Sequence, residues 1–203
     1  GMITISAEYR LAPEDPFPAA ADDALSIASW VIANVDQFGD DASRIVVAGD
    51  SAGGNLAAVV GQHVDGIAGQ LLIAPVTDAD LTRLSYRENG ERYILTSAMM
   101  QWFFDHYVDA AGRTDPRVAP LRAKDMSNLP PATIVTCEFD PLRDEGTAYA
   151  EALTAAGVDV QHIRARGHIH SSLTMVDLVI SGAPYRERMG AALRRFATAG
   201  RAP

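Results

Sequence analysis

The sequence alternates short apolar segments with longer segments in which apolar residues recur every three or four positions. The short segments are typical of buried strands, and the longer ones are typical of helices packed on a sheet. The strand-like segments are residues 2–9, 44–48, 70–74, 133–137 and 158–163. The helix-like segments are residues 25–35, which Gly39 would cap, and residues 51–63, 145–156 and 184–199. This alternation predicts an α/β fold with a doubly wound, mostly parallel sheet that helices cover on both faces.

Length and composition limit the classes of function. A chain of 203 residues suits one domain, and a net charge of -9 without a cluster of Lys and Arg disfavours a nucleic-acid partner. No apolar stretch approaches the roughly 18 residues that a membrane span needs. The single Cys137 excludes an internal disulfide and a cysteine-based metal cluster, and the first residues lack a signal-peptide pattern. We therefore expect a cytoplasmic protein with no membrane span and no metal site.

The stretch "VVAGDSAGGNLAA" places Ser51 between an expected strand and an expected helix. The pattern Gly49-x-Ser51-x-Gly53 in this position predicts a nucleophile elbow, formed by Gly49, Asp50, Gly53 and Gly54 around the serine. We expect side chains at positions 49 and 53 to collide with the sharp turn. The helix N-terminus would aim its dipole at charge on the substrate, with the N–H of Ala52 as an oxyanion donor. The alternative is a tight strand-to-helix turn with a capping serine.

A nucleophilic serine needs a base and an acid that orients the base. In this architecture they should follow in the order Ser, Asp, His at the carboxyl ends of later strands. Asp140 follows one strand-like segment, and both His168 and His170 follow the next. Asp144 ranks second as the acid, because it should lie in the first turn of the next helix.

Six stretches carry a family resemblance: "EYRLAPEDPFPAA", "GDSAGGNLAA", "LTSAMMQWFFDHYV", "DPRVAPL", "LPPATIVTCEFDPLRDEG" and "GHIHSS". The chain resembles the hormone-sensitive-lipase-like branch of bacterial carboxylesterases, within the α/β-hydrolases. The resemblance implies Ser51 as the nucleophile, Asp140 as the acid and His170 as the base. In the family Gly-Phe typically follows this histidine, whereas Ser171 and Ser172 follow it here.

The resemblance also implies a reaction and a domain organisation. The reaction is hydrolysis of small carboxylic esters through an acyl-serine, with no cofactor. Residues 1–203 would form a single α/β-hydrolase domain, with a partial helical cap insertion at about residues 79–115. Two other readings stay open: a non-catalytic remnant of a hydrolase that acts as a binding or assembly module, and an amidase or peptidase that uses the same three residues.

The largest departure from the family is an absence. Family members carry, before the stretch "EYRLAPE", a cap-forming helical segment, three strands and a His-Gly-Gly-Gly loop that supplies oxyanion donors. No His-Gly dipeptide occurs in these 203 residues. We therefore expect impaired activity from this chain alone. Because a strand would be missing beside residues 44–48, we expect residues 2–9 to pair with them directly or to recruit a strand from another chain, and we expect a homo-oligomer.

Three further sets of residues have plain structural readings. The stripe of Met99, Trp102, Phe103 and Tyr107 has helical spacing and is usually core, although the resemblance makes it part of a lid over an acyl pocket. Asp78 and Asp80 follow a strand, and we interpret them as solvated loop carboxylates rather than metal ligands. The remaining histidines are expected on the surface or in satisfied positions: His63, His106 and His162.

Overall fold

The computed structural model describes residues 2–38 and 44–198. Four parallel strands form one sheet in the order β1-β2-β3-β4. The strands are β1 (Val46–Asp50), β2 (Gly69–Ile73), β3 (Ala132–Phe139) and β4 (Val160–Ile169). The helices are α1 (Ala19–Ala33), α2 (Ala52–His63), α3 (Leu84–Asn89), α4 (Ser97–Tyr107), α5 (Arg143–Ala155) and α6 (Ala183–Thr198). The α/β fold with a parallel sheet is therefore confirmed; the expected cap at Gly39 lies outside the described residues.

Helices cover both faces of the sheet. Successive side chains of a strand point to opposite faces, so apolar residues at neighbouring positions need a covering helix on each side. On one face, Leu72 and Ile134 pack with Tyr149 and Leu153 of α5. On the other face, the preceding residue of β2, Leu71, packs with Val135 and with Met189 of α6. Each of these side chains is buried, so the central strands have an apolar core on both sides.

Two helices lie in the connection between β2 and β3. Tyr86 of α3 and Phe104 of α4 form a separate buried cluster with Leu142, which lies directly before α5. The aromatic ring of Tyr107 packs edge-on against Phe17, and Phe17 donates its N–H to the carbonyl of Tyr107. These contacts place α3 and α4 beside the carboxyl ends of the strands.

The expected strand at residues 2–9 is absent, and its pairing with residues 44–48 is wrong. Residues 2–9 form no strand, and Met2, Ile3 and Ile5 are exposed. The reason lies in the residues that follow: the Arg10 guanidinium binds Asp23 of α1 through Nη2–Oδ1 at 2.7 Å and Nε–Oδ2 at 2.9 Å. This ion pair anchors the segment on α1 instead of on the sheet.

An open apolar groove of about 540 Å³ separates residues 2–7 from β1. Because Ile45 O and Ser51 N bond towards β2, the strand alternation turns the backbone groups of Val46 and Ala48 towards the groove. Among the described residues, no backbone hydrogen bond is made to this edge. Within residues 2–38 and 44–198, β1 is therefore an edge strand that pairs on one side only.

Candidate active site

Ser51 lies at the junction between β1 and α2 with a strained backbone. Its φ of 56° and ψ of -116° lie in a region that residues other than glycine rarely adopt. Three backbone bonds hold it there: Ser51 N donates to Ile73 O at 2.9 Å, and Ser51 O accepts from Asn55 N at 3.0 Å and from Val76 N at 3.3 Å. The Ser51 side chain makes no capping bond to α2, which contradicts the alternative of a capping serine.

The glycines of the elbow have different roles. A Cβ at Gly49 would overlap the carbonyl oxygen of Gly53, and a Cβ at Gly54 would lie 3.0 Å from Pro75 Cβ. A Cβ at Gly53 would meet nothing within 4 Å, so the expected collision at position 53 is wrong. The turn brings the Gly53 backbone against position 49, while position 53 itself faces the open groove.

A chain of hydrogen bonds joins Ser51, His170 and Asp140. His170 Nε2 lies 3.0 Å from Ser51 Oγ, and His170 Nδ1 lies 2.8 Å from Asp140 Oδ2. Asp140 Oδ1 also accepts from the N–H of Leu142 at 2.9 Å. Because a carboxylate only accepts, Nδ1 carries the imidazole hydrogen and Nε2 is left to accept from the serine hydroxyl. The structure thus brings the three residues together with the imidazole poised to take a proton.

The charges around His170 favour the positive form of its imidazole. Burial of His170 opposes the charge, but the hydrogen bond and charge of Asp140, together with the charge of Asp50, outweigh it and raise the pKa of His170. Burial also raises the pKa of Asp50, with a contribution from the charge of Asp140. A positive imidazole that forms during a reaction would be stabilised between these two carboxyl groups.

Glu145 is a buried carboxyl group that our sequence reasoning missed. Its Oε1 accepts from Thr77 N at 2.8 Å and Asp78 N at 3.2 Å, and its Oε2 accepts from the Tyr86 hydroxyl at 3.1 Å. Burial, partly offset by these bonds, raises the pKa of Glu145 to about 8. Glu145 thus ties the first turn of α5, close to the Asp140 loop, to the segment after β2.

The two loop aspartates differ from each other. Asp78 is 2% exposed and forms ion pairs with Arg83 at 2.6 Å and Arg122 at 2.7 Å, so the interpretation as a solvated carboxylate is wrong for it. Asp80 is half-buried and accepts from the Thr82 hydroxyl at 2.6 Å. Pairing with two partly exposed guanidinium groups offsets the cost of removing the Asp78 carboxylate from water.

An apolar cavity of about 330 Å³ opens beside Ser51. Trp102, Phe103 and Tyr107 of the aromatic stripe line it, whereas Met99 does not. The prediction that the stripe is core is wrong for three of its members, because Met99, Trp102 and Phe103 are 40%, 55% and 43% exposed. The cavity lies within the size range of small-molecule sites.

The other candidates lie outside the hydrogen-bonded chain. His168 is buried and binds Ser172 Oγ through Nδ1, and Asp144 lies in the first turn of α5, where it accepts from Ser85 N. The remaining histidines have hydrogen-bond partners as expected: His63 with Val59 O, His106 with Trp102 O and His162 with Thr136 Oγ1. His106 also lines the cavity, which its sequence context did not indicate.

Sequence comparisons place this geometry in a family. The profile of the alpha/beta hydrolase fold matches residues 1–174. A carboxylesterase of Mycobacterium tuberculosis is 42% identical over 202 residues, which are 95% of this chain and 63% of that protein. An ethyl acetate hydrolase of Pseudomonas putida is 39% identical over 88% of this chain and 58% of that protein. The chain thus spans about 60% of the length of these relatives.

Solved structures agree with the sequence matches. A thermostable esterase from Pseudomonas putida superposes with a TM-score of 0.89 at 38% identity, over 94% of this chain and 63% of that one. A hyperthermophilic esterase from Pyrobaculum calidifontis gives 0.86 at 38% identity, over 94% and 63%. No described helix is long and apolar enough to cross a membrane. The chain belongs to the alpha/beta hydrolase fold family, and the relatives that it matches are carboxylesterases of the hormone-sensitive-lipase-like type.

Proposed function

We propose that this protein is a serine carboxylesterase that hydrolyses small carboxylic esters through an acyl-serine. The observation that carries the proposal is the hydrogen-bonded chain from Ser51 through His170 to Asp140. Ser51 Oγ attacks the ester carbonyl while His170 Nε2 takes its proton, and His170 then delivers that proton to the departing alcohol. Asp140 holds the imidazole in the required tautomer. Water, activated by His170, then releases the acid.

The substrate class rests on the relatives and on the cavity. The relatives include a carboxylesterase and an ethyl acetate hydrolase, both of which act on esters by name. The cavity beside Ser51 has apolar walls from Leu56, Trp102 and Phe103, which suit a small apolar acyl or alcohol group. This chemistry needs no cofactor.

The oxyanion site is the weak part of the proposed machinery. Ala52 is the first residue of α2 and no side chain caps the helix, so its N–H is available to developing negative charge. The glycine-rich loop that supplies further donors in the family has no counterpart in these 203 residues. We therefore propose that this chain alone hydrolyses activated esters slowly.

A serine-directed probe tests the proposal most directly. We expect a fluorophosphonate to label the wild type at Ser51 and p-nitrophenyl butyrate to be hydrolysed. We expect Ser51→Ala to lose both properties, because the nucleophilic oxygen is gone. Ser29→Ala is the matched control, since it removes a hydroxyl that bonds only Leu25 O on α1. A wild type that neither labels nor turns over would favour the non-catalytic reading, and faster hydrolysis of the matching anilide would favour an amidase.

Two further proposals concern the protein as a whole. We propose a homo-oligomer, because an unpaired edge strand beside exposed apolar side chains favours association. We also propose a cytoplasmic location, because the single Cys137 is free and buried and has no partner for an internal disulfide. Subcellular fractionation with an antibody against this chain tests the location.

A further inference from the structure

The turn that carries His170 has an unfavourable backbone. Ser171, the residue after the histidine, has a φ of 59° in the left-handed region, which disfavours residues other than glycine by about 1 kcal/mol or more. Ser172 and Leu173 next to it are buried, whereas Ser171 itself is only half-buried. Something other than local preference therefore has to hold this turn in place.

The Ser172 hydroxyl bridges the start of the turn. It donates to Ile169 O at 2.7 Å, and His168 Nδ1 lies 3.0 Å from the same hydroxyl. A serine hydroxyl has one hydrogen, and here it is given to Ile169 O. His168 must therefore be the donor in the second bond, which places its hydrogen on Nδ1. The carbonyl directly before His170 also accepts from the N–H of Ser172 at 3.2 Å.

A second hydroxyl holds the carbonyl of Ser171, the residue directly after His170. Thr174 Oγ1 donates to Ser171 O at 2.8 Å, and Thr174 N donates to the same oxygen at 3.2 Å. The Thr174 hydroxyl also interacts with the carboxyl group of Asp50. The carbonyls on both sides of the histidine are thus fixed by hydroxyl groups within four residues of it.

We propose that Ser172 is a positioning residue. Its hydroxyl, which donates to Ile169 O and accepts from His168 Nδ1, orients the His170 imidazole towards Ser51 and Asp140. The proposal rests on the proposed function. Thr174 supports the same turn from its other end.

The decisive measurement is the pKa of the His170 imidazole, followed by NMR through a histidine titration and assigned with His170→Gln. The charged groups that face His170 are Asp140 after β3 and Asp50 at the end of β1. Neither of them changes in the Ser172 variants. In Ser172→Ala the imidazole can leave its 2.8 Å contact with Asp140, which supports its positive form. We expect the pKa of His170 to fall by about 0.5 unit or more.

Activity gives a second readout. If the wild type hydrolyses p-nitrophenyl butyrate, we expect Ser172→Ala to lower kcat about tenfold and to change KM less than about twofold, because the base and not the cavity is disturbed. Ser172→Thr keeps a hydroxyl and should restore both the pKa and kcat. Ser29→Ala, which removes another hydroxyl bond to a backbone carbonyl, should change neither.

The outcomes separate this proposal from the proposed function. An unchanged His170 pKa in a folded Ser172→Ala variant would overturn the positioning role, whatever the activity. A wild type with no turnover and no probe labelling overturns the esterase proposal, while the titration still decides the role of Ser172. If Ser172→Ala does not fold, His168→Phe is the second variant, because it removes the donor to Ser172 Oγ and leaves Asp50 and Asp140 unchanged, and it should lower the pKa of His170 in the same direction.

Discussion

The two sides of the sheet differ in how well they support the candidate site. On the β3–β4 side, β4 is also an edge strand among the described residues, but it pairs with β3 from Ala132–Val160 to Phe139–Ile169, and Asp140 and His170 are 0% and 5% exposed. On the β1 side, the strand that leads into Ser51 has one unpaired edge, and a groove of about 540 Å³ runs along it. The acid and the base therefore stand on the well-packed side, and the nucleophile stands on the open side.

This difference indicates that the position of the nucleophile depends on local contacts. Ser51 keeps its strained backbone through a bond to Ile73 O of β2 and through the close approach of Gly53 to Gly49. These contacts need only β1, β2 and the first turn of α2. The hydrogen-bonded chain of Ser51, His170 and Asp140 can thus form without any contact across the open edge of β1.

The largest expected effect is on turnover and tests the open side. A longer polypeptide that carries the upstream portion of a relative, including its glycine-rich loop, should exceed this chain in kcat/KM by about 10² to 10³, or ~3 to 4 kcal/mol. The reason is that oxyanion donors act on charge that exists only near the transition state. Initial rates with p-nitrophenyl butyrate measure the ratio. Equal and efficient rates would show that another group already completes the oxyanion site.

The next effect is on folding and tests the elbow itself. Gly49→Ala should lower the free energy of unfolding by about 3 kcal/mol, because the new Cβ overlaps the Gly53 carbonyl. Gly53→Ala is the matched control and should stay within about 1 kcal/mol of the wild type, since its Cβ meets nothing within 4 Å. Urea denaturation compares the two. Similar losses in both variants would contradict the asymmetry of the elbow.

The sequence predicts the regular elements better than the irregular segments. Periodicity located β1, β2, β3, α2 and α5 to within two residues at each end, whereas β4 runs to Ile169, six residues past its predicted end. The elbow and the order of Ser51, Asp140 and His170 were also readable, since strand ends meet at one edge of a parallel sheet. The segment 2–9 was misread because its position depends on Arg10 binding Asp23, which no periodicity reports.

Buried polar contacts are the other part that the sequence does not show. Asp78 looked like a loop carboxylate, but in the fold it pairs with Arg83, five residues away, and with Arg122, 44 residues away. Glu145 was not singled out from the sequence, and the fold buries it against the Tyr86 hydroxyl. Such pairs form between segments that only the tertiary structure brings together.

The third expected effect concerns the well-packed side and is a dependence of its stability on pH. Glu145 has a pKa of about 8 in the fold, against 4.5 for an ordinary glutamate. Between these values the folded state holds a proton that the unfolded state has lost, so the contribution of Glu145 to stability falls as pH rises from about 4.5 to about 8. Glu145→Gln cannot ionise, and its amide oxygen can still accept from Thr77 and Asp78.

We therefore expect the free energy of unfolding of Glu145→Gln, relative to the wild type, to rise between pH 5 and pH 8.5 by an amount on the order of 1 kcal/mol or more, and the relative melting temperature to rise with it. The matched control is Glu151→Gln on the exposed side of the same helix, which should show no such trend. A constant difference across the pH range would mean that Glu145 ionises in the fold without penalty.

The smallest effect concerns association through the open side. Unpaired strand edges promote pairing with another chain, and a charged side chain on the edge opposes it. Ala48 is exposed on β1 and lines the groove, so Ala48→Lys should place an ammonium group where a second chain would dock. We expect this variant to shift the molar mass measured by light scattering after size exclusion towards the monomer.

Ala33→Lys, at the exposed end of α1, adds the same charge away from the groove and should leave the mass unchanged. Because Ala48 lies only three residues before Ser51, an interface between two chains at the β1 edge would lie close to the nucleophile. A wild type that is monomeric at every concentration would instead mean that the open edge is tolerated in water.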